Sequence, residues 1–464
     1  MRTERDTLGE VSVPDDALYG AQTQRAVENY PISGLREHPT FIRAFIVLKK
    51  AAALANMELG AMPSETGKPI VNACDSILDD FADYQEQFVV DVFQAGAGTS
   101  FNMNCNEVVA NLANISLGGK AGVYKPVHPN DHVNMSQSTN DVFPTALRVA
   151  VALMLDELLP QLDLLGAAFR KKANQLADVI KSGRTHLQDA VPVTMGQEFH
   201  AYASAVQRAT TLLGDAAGDV RELGIGGTAA GTGMNAPVGY RFVVVKHITA
   251  ILGDEFRAAE DLREAMQSQL PVLAVSAALR NLALELTRIT NDLRLLASGP
   301  QTGLAEITLP AVQPGSSIMP GKVNPSMLEC MNQLLFHILG SATAMDYASQ
   351  AGQLELNVMM PLMAFEMTFS IECLKNYLPV FVEKCIAGID ADRARCEAYY
   401  IASPSLATAL NPIIGYAAAA EIAKESAKSG KPIPTLLREK KLLSEEEISR
   451  IFTPEFLAGQ ADRR

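Results

Sequence analysis

Three long segments of the chain carry apolar residues at three- and four-residue spacing, and this helical period constrains the fold more than any other feature. The segments span residues 159–182, 271–298 and 327–349 and are rich in Ala, Leu and Met. Each exceeds the mean length of a globular helix, about 11–12 residues, and each has apolar residues on more than one face. We therefore expect a central bundle of long helices that is buried on several sides, in part by other subunits.

The length of 464 residues predicts more than one domain, because a single core rarely grows to that size. Apolar residues make up 48% and charged residues 20%, which favours a large folded core over disorder. We expect a mainly α subunit with an N-terminal domain (residues 1–140), a central long-helix domain (141–396) and a small C-terminal domain (397–464). Short segments and the break KSGKPIPT at residues 428–435 distinguish the last of these.

The charge of the chain limits its expected partners. The formal net charge is −13, and a field of that sign repels nucleic-acid phosphates and anionic lipid, so neither is an expected partner. The six cysteines are scattered without a CxxC pair, and the beginning MRTERDTLGE has no apolar signal region. Charged residues interrupt apolar runs such as residues 142–159, so no membrane span is predicted and a cytoplasmic location is expected.

Five segments rich in Gly, Pro, Asn, Ser and Thr separate the helical stretches. They are residues 94–107, 128–144, 182–192, 224–237 and 314–325. We expect loops anchored on a rigid helical scaffold, where binding and catalytic groups commonly lie. The last segment, PGSSIMPGKVNP, contains proline and glycine residues that exclude a continuous helix or central strand. It nevertheless carries two hydroxyls, one ammonium and one carboxamide.

The glycine-rich segment 224–237 does not match a dinucleotide-binding fingerprint. Its GIGGTAAGTG has Ala229 where GxGxxG requires the third glycine, and its flanks do not predict a strand followed by a helix. A tight turn, or backbone donors near a ligand, is favoured, and no cofactor is predicted. Ser316 and Ser317 lack the GxSxG elbow, so nucleophilic hydrolysis is not favoured either.

A metal site is not predicted. His128 and His132 are four residues apart, but Pro129 directly follows His128 and argues against a shared helix face. Neither an HExxH motif nor an EF-hand pattern occurs in the sequence. Structural or substrate-facing histidines are the favoured interpretation.

Neutral hydrogen-bond donors and one cation recur in these segments. They are Thr99, Ser100, Ser138, Thr139, Asn140, Thr185, Lys322 and Asn324. Such a set suits one or two carboxylates, which accept hydrogen bonds from hydroxyl, amide and ammonium groups. For one segment alone, turn and cap residues would be the better interpretation. Four such segments together favour a binding site for a small carboxylate.

Several motifs carry a family resemblance. In chain order they include GAGTSFNMNCNEV, HPNDHVNMSQSTNDVFPT, GRTHLQDAVPVTMGQEF, GGTAAGTGMN and GSSIMPGKVNP. Together they extend over nearly the whole chain and resemble the aspartase/fumarase superfamily. The resemblance implies a mostly helical, three-domain subunit. It further implies a homotetramer, in which four subunits combine their long helices into a twenty-helix bundle and three chains build each active site.

The chemistry implied by the resemblance is reversible anti-elimination across the Cα–Cβ bond of a succinyl compound, which releases fumarate. Ser316 matches the general base, on a mobile loop, and Lys322 and Asn324 match the residues that bind the β-carboxylate. Negative charge would develop there as an aci-carboxylate, which requires donors placed to stabilise it. His186 and Lys322 join Ser316 as expected catalytic residues. The family's other substrate-contacting positions match Thr99, Ser138, Thr139, Asn140, Thr185 and His186.

The residues at which these motifs differ between branches of the family favour release of ammonia over release of water. GTS, STND and THLQD are similar to the ammonia-lyase branch, with an amine-binding set at Thr99, Asn140 and His186. L-Aspartate, fumarate and ammonia are therefore the expected ligands. HPND at residues 128–131 is instead typical of fumarases, where it marks a second anion site. A class II fumarate hydratase, a lyase for an N-substituted aspartate and a non-catalytic structural member remain alternatives.

Overall fold

A computed structural model describes residues 1–458, which are mainly helical, and this confirms the predicted fold class. The chain divides into two compact units. The first comprises Met1–Leu159, Thr211–Asn281 and His337–Leu374. The second comprises Pro160–Thr210, Leu282–Phe336 and Lys375–Arg464, described as far as Ala458. The three-domain division with boundaries after residues 140 and 396 remains a prediction.

The α-helices follow one another in chain order, and residues 268–269 separate a first series from a second. The helices of the first series are α1 (Ala21–Asn29), α2 (Pro39–Glu58), α3 (Ser64–Asp79), α4 (Phe81–Tyr84), α5 (Thr99–Ser116), α6 (Thr139–Gln175), α7 (Met195–Asp219), α8 (Tyr240–Leu252) and α9 (Leu262–Gln267). The helices of the second are α10 (Leu270–Leu296), α11 (Ser326–Gln350), α12 (Met360–Lys384), α13 (Arg393–Ala402), α14 (Asn411–Ile414), α15 (Tyr416–Ser429), α16 (Ile433–Glu439), α17 (Glu445–Ile451) and α18 (Pro454–Leu457).

Within residues 1–458, eight short strands form four two-stranded sheets. The strands are β1 (Arg2–Asp6), β2 (Gly9–Val13), β3 (Ile180–Thr185), β4 (Gln188–Thr194), β5 (Glu222–Leu223), β6 (Arg257–Ala258), β7 (Ile307–Thr308) and β8 (Asp390–Ala391). The pairs β1–β2, β3–β4 and β7–β8 are antiparallel, and β5–β6 is parallel. These sheets join helices and turns rather than forming a core of their own.

The long helices largely follow the predicted apolar segments. Helices α10 and α11 match the segments 271–298 and 327–349 within two residues. The helix predicted over residues 159–182 is wrong at its C-terminal end, because α6 ends at Gln175 and β3 begins at Ile180. Ile180 pairs with Thr194 of β4, so a contact fourteen positions away overrides the local helical period.

An aromatic core in the first unit fixes the starts of α5 and α6. Phe41 and Phe45 of α2 are fully buried and contact Phe101 of α5 and Phe143 of α6. The ring centroids of Phe41 and Phe143 are 5.0 Å apart, and those of Phe45 and Phe101 are 5.2 Å apart. Tilted and edge-to-face packing of this kind adds to the stabilisation from apolar burial. The first turns of α5 and α6 are therefore held on one rigid base.

The C-terminal residues build a separate apolar cluster in the second unit. Its buried members include Leu406, Leu410, Ile422, Ile433, Leu436, Leu437, Ile448 and Ile451. Helix α17 begins with a capping box, in which the Ser444 hydroxyl accepts from the Glu447 amide and the Glu447 carboxylate accepts from the Ser444 amide.

Helix α10 is long and apolar enough to cross a membrane by length and composition, although no span was predicted. In its most apolar window, 44% of the residues are buried in the single chain. Leu284 is 52% exposed and Leu270 is 61% exposed. A core helix passes the same test, and the uncovered leucines leave apolar surface that a partner could bury.

Candidate active site

Two candidate binding segments of the first unit form helix starts rather than loops. Thr99 is the first residue of α5 and Thr139 the first of α6, so the prediction of loops over residues 94–107 and 128–144 is only partly right. Ser, Thr and Asn favour such positions because their side chains satisfy exposed backbone amides. The Ser138 hydroxyl accepts from the Asn140 amide at 3.2 Å. Thr99, Thr139 and Asn140 thus lie in two first turns, and Ser138 directly precedes one of them, where the helix dipole favours anions.

Gly98 allows α5 to begin beside α6. Its φ is +84°, a left-handed conformation that favours glycine. A Cβ atom at this position would lie 2.1 Å from Cδ2 of the buried Phe143 ring. The close approach requires a residue without a side chain, and it places Thr99 directly after the contact.

The Thr139 hydroxyl is oriented by a buried polar network that sequence reasoning missed. Asn102 donates to Thr139 Oγ1 at 2.9 Å, so the hydroxyl proton of Thr139 remains available to a ligand. The ammonium of Lys49 donates to Asn102, Asn134 and Gln137 at 2.7, 3.2 and 2.9 Å. Lys49 is fully buried, and burial lowers its pKa to about 7. A lysine inside the apolar helix FIVLKKAAALAN was the available signal.

Asp141 connects the start of α6 to the glycine-rich segment. Its Oδ1 accepts from the Ser138 amide at 2.9 Å, and its Oδ2 accepts from the amides of Gly226 and Thr228 at 3.0 and 2.8 Å. Burial raises the pKa of Asp141 to about 6, although these three hydrogen bonds and the Lys49 charge oppose the increase. Sequence reasoning did not identify this role, even though the residue completes the STND motif.

The glycine-rich segment 224–237 forms turns, as one of the two sequence interpretations expected. The carbonyl of Ala229 accepts from Asn140 Nδ2 at 2.9 Å. The amides of Gly226 and Thr228 donate to Asp141, so these two donors are not directed at a ligand. The segment therefore contacts Asn140 through the Ala229 carbonyl and Asp141 through the amides of Gly226 and Thr228.

The HPND motif forms a π-helical turn, Pro129–Val133, ahead of α6. His128 Nδ1 accepts from the amides of Asn130 and Asp131, both at 3.3 Å. His132 Nδ1 accepts from the His128 amide at 2.9 Å. Both imidazoles thus stabilise their own turn. Among residues 1–458, no group of three or more His, Cys, Asp or Glu side chains is placed to hold a metal ion.

Thr185 and His186 lie at the tip of the β3–β4 hairpin in the second unit. Thr185 pairs with Gln188, so His186 and Leu187 form a two-residue turn, with φ values of +58° and +57°. Turns with both central residues at positive φ favour Asn and Gly. A bulky pair such as His-Leu is strained there, and strained backbone is enriched at functional sites.

A buried ion-pair network holds this hairpin. Arg184 donates through two nitrogens to both oxygens of Glu306, each at 2.9 Å. The Glu306 side chain is 0% exposed, and Lys181 lies 3.3 Å from it and 3.2 Å from Glu198. Such a forked pair fixes orientation as well as distance. The position of Thr185 is therefore set by its neighbour Arg184, a role that the sequence alone did not indicate.

The Ser316 hydroxyl is surrounded by amides of its own loop. Ser316 Oγ accepts from the amides of Ile318 and Met319 at 3.2 and 2.9 Å. Two converging N–H groups stabilise negative charge on an oxygen, as in an oxyanion hole. The Ile318 side chain is 82% exposed, so the loop is open to solvent in the single chain.

The same loop brings Lys322 and Asn324 together with Ser316. The Gly315 amide donates to the Lys322 carbonyl at 2.8 Å, and the Asn324 side chain donates to the Gly315 carbonyl. Residues 314–325 lack helix and strand, as predicted. Within residues 1–458, the Lys322 ammonium has no hydrogen bond or ion pair, so it can bind an anion.

The candidate residues thus form two groups. Thr99, Ser138, Thr139 and Asn140 belong to the first unit, and Thr185, His186, Ser316, Lys322 and Asn324 to the second. A cavity of about 950 Å³ in the second unit, lined by β4, α7 and the C-terminal residues, contains none of them. Chemically, the two groups offer neutral donors, one cation and one hydroxyl placed to carry negative charge.

Family comparisons bear on these two groups. A family model described as Lyase matches residues 9–340, and a second, described as Fumarase C C-terminus, matches residues 406–459. Proteins named aspartate ammonia-lyase are similar over almost the whole chain. That of a Bacillus species is 46% identical over 98% of this chain and 97% of its own length. That of Pseudomonas aeruginosa is 47% identical over 98% of this chain and 96% of its own.

Solved structures give the same picture of similarity. A structure described as fumarate lyase:delta crystallin from Brucella melitensis bound to cobalt has a TM-score of 0.93 and 46% identity. The match covers 97% of this chain and 98% of that one. Class II fumarase from Schistosoma mansoni also has a TM-score of 0.93, at 34% identity and 99% coverage of both chains.

Proposed function

The chain belongs to the aspartase/fumarase superfamily, and from this membership we propose that it is an aspartate ammonia-lyase, which converts L-aspartate reversibly into fumarate and ammonia. The observation that carries the proposal is the 45–47% identity, over nearly the full length, to several proteins of that name. The fumarase neighbour is less similar, at 34% identity, and supports hydration only as the alternative. The chain is a carbon–nitrogen lyase.

Elimination begins with removal of a proton from Cβ of L-aspartate. The electron pair of the C–H bond is first held on the adjacent carboxylate as an aci-carboxylate, and it forms the C=C bond as the C–N bond breaks. Ser316 is the proposed base, and its two amide contacts favour the alkoxide over the neutral hydroxyl. Exclusion of water when the loop closes would strengthen both the base and the donors around it.

The remaining residues bind and orient the substrate in this proposal. Lys322 and Asn324 hold the β-carboxylate, on which negative charge increases during proton removal. Thr99, Asn140 and His186 recognise the amine, with His186 beside the departing group. The other donors hold the α-carboxylate; they are Ser138, Thr139 and Thr185.

L-Aspartate is expected to yield fumarate and ammonia, whereas L-malate should not react appreciably. A site that hydrogen-bonds a substrate amine rejects ligands that leave its buried polar groups unpaired. Fumarate formation is measured by ultraviolet absorbance with L-aspartate, L-malate, argininosuccinate and adenylosuccinate as separate substrates. Faster turnover of L-malate would establish a fumarase, and turnover confined to either N-substituted compound would establish a lyase for an N-substituted aspartate.

We propose a homotetramer in which long helices of four subunits form a twenty-helix bundle. The exposed leucines of α10 support it, because a closed assembly with point symmetry would bury them. Three chains would contribute to each active site. The division into domains with boundaries after residues 140 and 396, and a cytoplasmic location, belong to the same proposal.

Mixed refolding is expected to restore activity to two inactive variants, Ser316→Ala and His186→Ala. If different chains supply the two residues to one site, some sites in a mixed tetramer contain only unmutated segments. Activity is measured after joint unfolding and refolding, and each variant refolded alone is the control. An active monomer in sedimentation, or no recovery despite a good yield of mixed tetramer, would refute the shared site.

A further inference from the structure

The orientation of the Asn140 side chain is fixed by a backbone carbonyl. An amide can present either its oxygen or its nitrogen to a neighbour, and the hydrogen-bond partners decide which. The Ala229 carbonyl is only an acceptor, so it requires Asn140 Nδ2 on its side, at 2.9 Å. Asn140 Oδ1 is consequently directed away from Ala229 and can accept a hydrogen bond from an ammonium group.

The carbonyl of Ala229 is itself held by Asp141. The amides of Gly226 and Thr228, three and one residues before Ala229, donate to Asp141 Oδ2. Thr228 has a φ of +55°, a strained conformation for a β-branched residue, so its backbone needs a fixed partner. Asp141 Oδ1 accepts from Ser138 at the start of α6, so one carboxylate ties both chain segments together.

We propose that Asp141 is a positioning residue for amine recognition: it holds segment 224–237 so that the Ala229 carbonyl orients the Asn140 oxygen toward the ammonium of the substrate. The inference rests on the proposed ammonia-lyase function and extends it to a residue that does not touch the substrate. The carboxylates of fumarate and of the substrate are bound by side chains that do not contact Ala229, so their recognition depends less on Asp141 than recognition of the amine does.

Only an ionised carboxylate can make this connection. It accepts on both oxygens, whereas a carboxamide or a protonated carboxyl has a donor on one side. In Asp141→Asn, that donor faces either the Ser138 amide or the amides of Gly226 and Thr228. With the donor toward Ser138, two N–H groups oppose each other and displace the side chain to which Gly226 and Thr228 donate. With the donor toward Gly226 and Thr228, their own hydrogen bonds are lost, and in both cases the Ala229 carbonyl loses its fixed place.

The first test uses the reverse reaction, addition of ammonia to fumarate. In Asp141→Asn the KM for ammonium should rise about 10-fold or more, the usual effect of losing a hydrogen bond to a charged group. Inhibition by succinate, which lacks the amine, should change less than about 3-fold, because its two carboxylates are bound by side-chain donors that the substitution does not remove. Equal changes for ammonium and succinate, or none for ammonium, would overturn the proposal.

Glu107→Gln is the matched control. Glu107 is also a buried carboxylate in the first unit, and it accepts from the amides of Gly20, Gln22 and Thr23. Its loss should lower stability, but it should not change the KM for ammonium more than it changes inhibition by succinate. If Glu107→Gln changed the KM for ammonium selectively, and as strongly as Asp141→Asn, the effect would be general to buried carboxylates and the specific role would be refuted.

Hydrogen exchange tests the connection without relying on activity. The titratable side chains that face Asp141 are Lys49 of α2 and Tyr240 of α8. Burial raises the pKa of Asp141 to about 6, and that of Tyr240 well above its usual value, so Tyr240 stays neutral. Burial lowers the pKa of Lys49 to about 7, so Lys49 gains its charge before Asp141 loses its own on acidification.

In the wild-type protein, the amides of Gly226 and Thr228 should therefore lose protection between pH 7.5 and pH 5, after correction for intrinsic exchange. In Asp141→Asn they should be poorly protected at both pH values. The same pH dependence in wild type and variant would assign the effect to Lys49 and overturn the proposal. Hydrogen exchange needs no substrate, so its result is independent of the ammonia-lyase assay. If the wild-type protein could not add ammonia to fumarate, only the proposed function would be refuted. If Asp141→Asn fails to fold, full protection of the wild-type amides at both pH values would still overturn the proposal.

Discussion

Ser316→Ala is expected to lower kcat by about 10²–10⁴-fold, the usual contribution of a general base. The oxygen that accepts from the Ile318 and Met319 amides is removed, and no other side chain of the loop occupies the same place. The affinity for succinate, measured by calorimetry, should stay within about 3-fold, because the variant keeps the proposed carboxylate-binding residues. Steady-state fumarate formation gives kcat, and exchange of the Cβ hydrogen of L-aspartate with solvent deuterium should fall in parallel.

Ser317→Ala is the control for this prediction. Ser317 is the neighbouring hydroxyl on the same loop, but within the described residues it accepts no backbone amide as Ser316 does. Its loss should reduce kcat less than about 10-fold, below the usual contribution of a general base. Equal losses in the two variants would mean that the base is a different group and that both serines only order the loop.

Lys322→Met is expected to lower kcat/KM by about 10²–10³-fold, as removal of one donor from an oxyanion site does. Methionine keeps a similar length but removes the charge, so the β-carboxylate loses its cation at the stage where its negative charge increases. Most of the loss should lie in kcat, since an interaction that strengthens toward the transition state lowers the barrier itself. Initial rates over a range of L-aspartate concentrations separate kcat from KM.

Lys428→Met provides a control for the loss of one surface charge. Lys428 is exposed on α15 and lies outside the signature loop. Its replacement should leave both kcat and KM unchanged. For Lys322→Met, a rise in KM with unchanged kcat would identify Lys322 as a uniform binding residue, and the group that stabilises the aci-carboxylate would then lie elsewhere.

The sequence predicted those parts of the fold that depend on local pattern. Helices α10 and α11 follow from an apolar period that any window of the chain reveals. The end of α6 could not be predicted in this way, because Ile180 becomes a strand only through pairing with Thr194. The same limit applies to the starts of α5 and α6, which depend on the packing of Gly98 against Phe143.

The candidate site shows a similar division. Residues that would touch the substrate could be named from motifs, because their types match the chemistry of carboxylates. The groups that hold them could not be named, since their contacts join distant parts of the chain. Asp141 meets Gly226 at a separation of 85 residues, and Arg184 meets Glu306 at a separation of 122. Such pairs have no signature within a window of sequence.

The turn formed by His186 and Leu187 has a consequence for protein engineering. Both residues have positive φ, and Asn-Gly is the pair that suits such a hairpin best. A redesign that seeks a higher melting temperature would therefore favour this replacement, because relief of the backbone strain would stabilise the fold. It would also delete the imidazole proposed to sit beside the departing amine. Libraries for thermostable variants should hold these two positions fixed, because here an exchange that stabilises the turn would also remove a proposed catalytic residue.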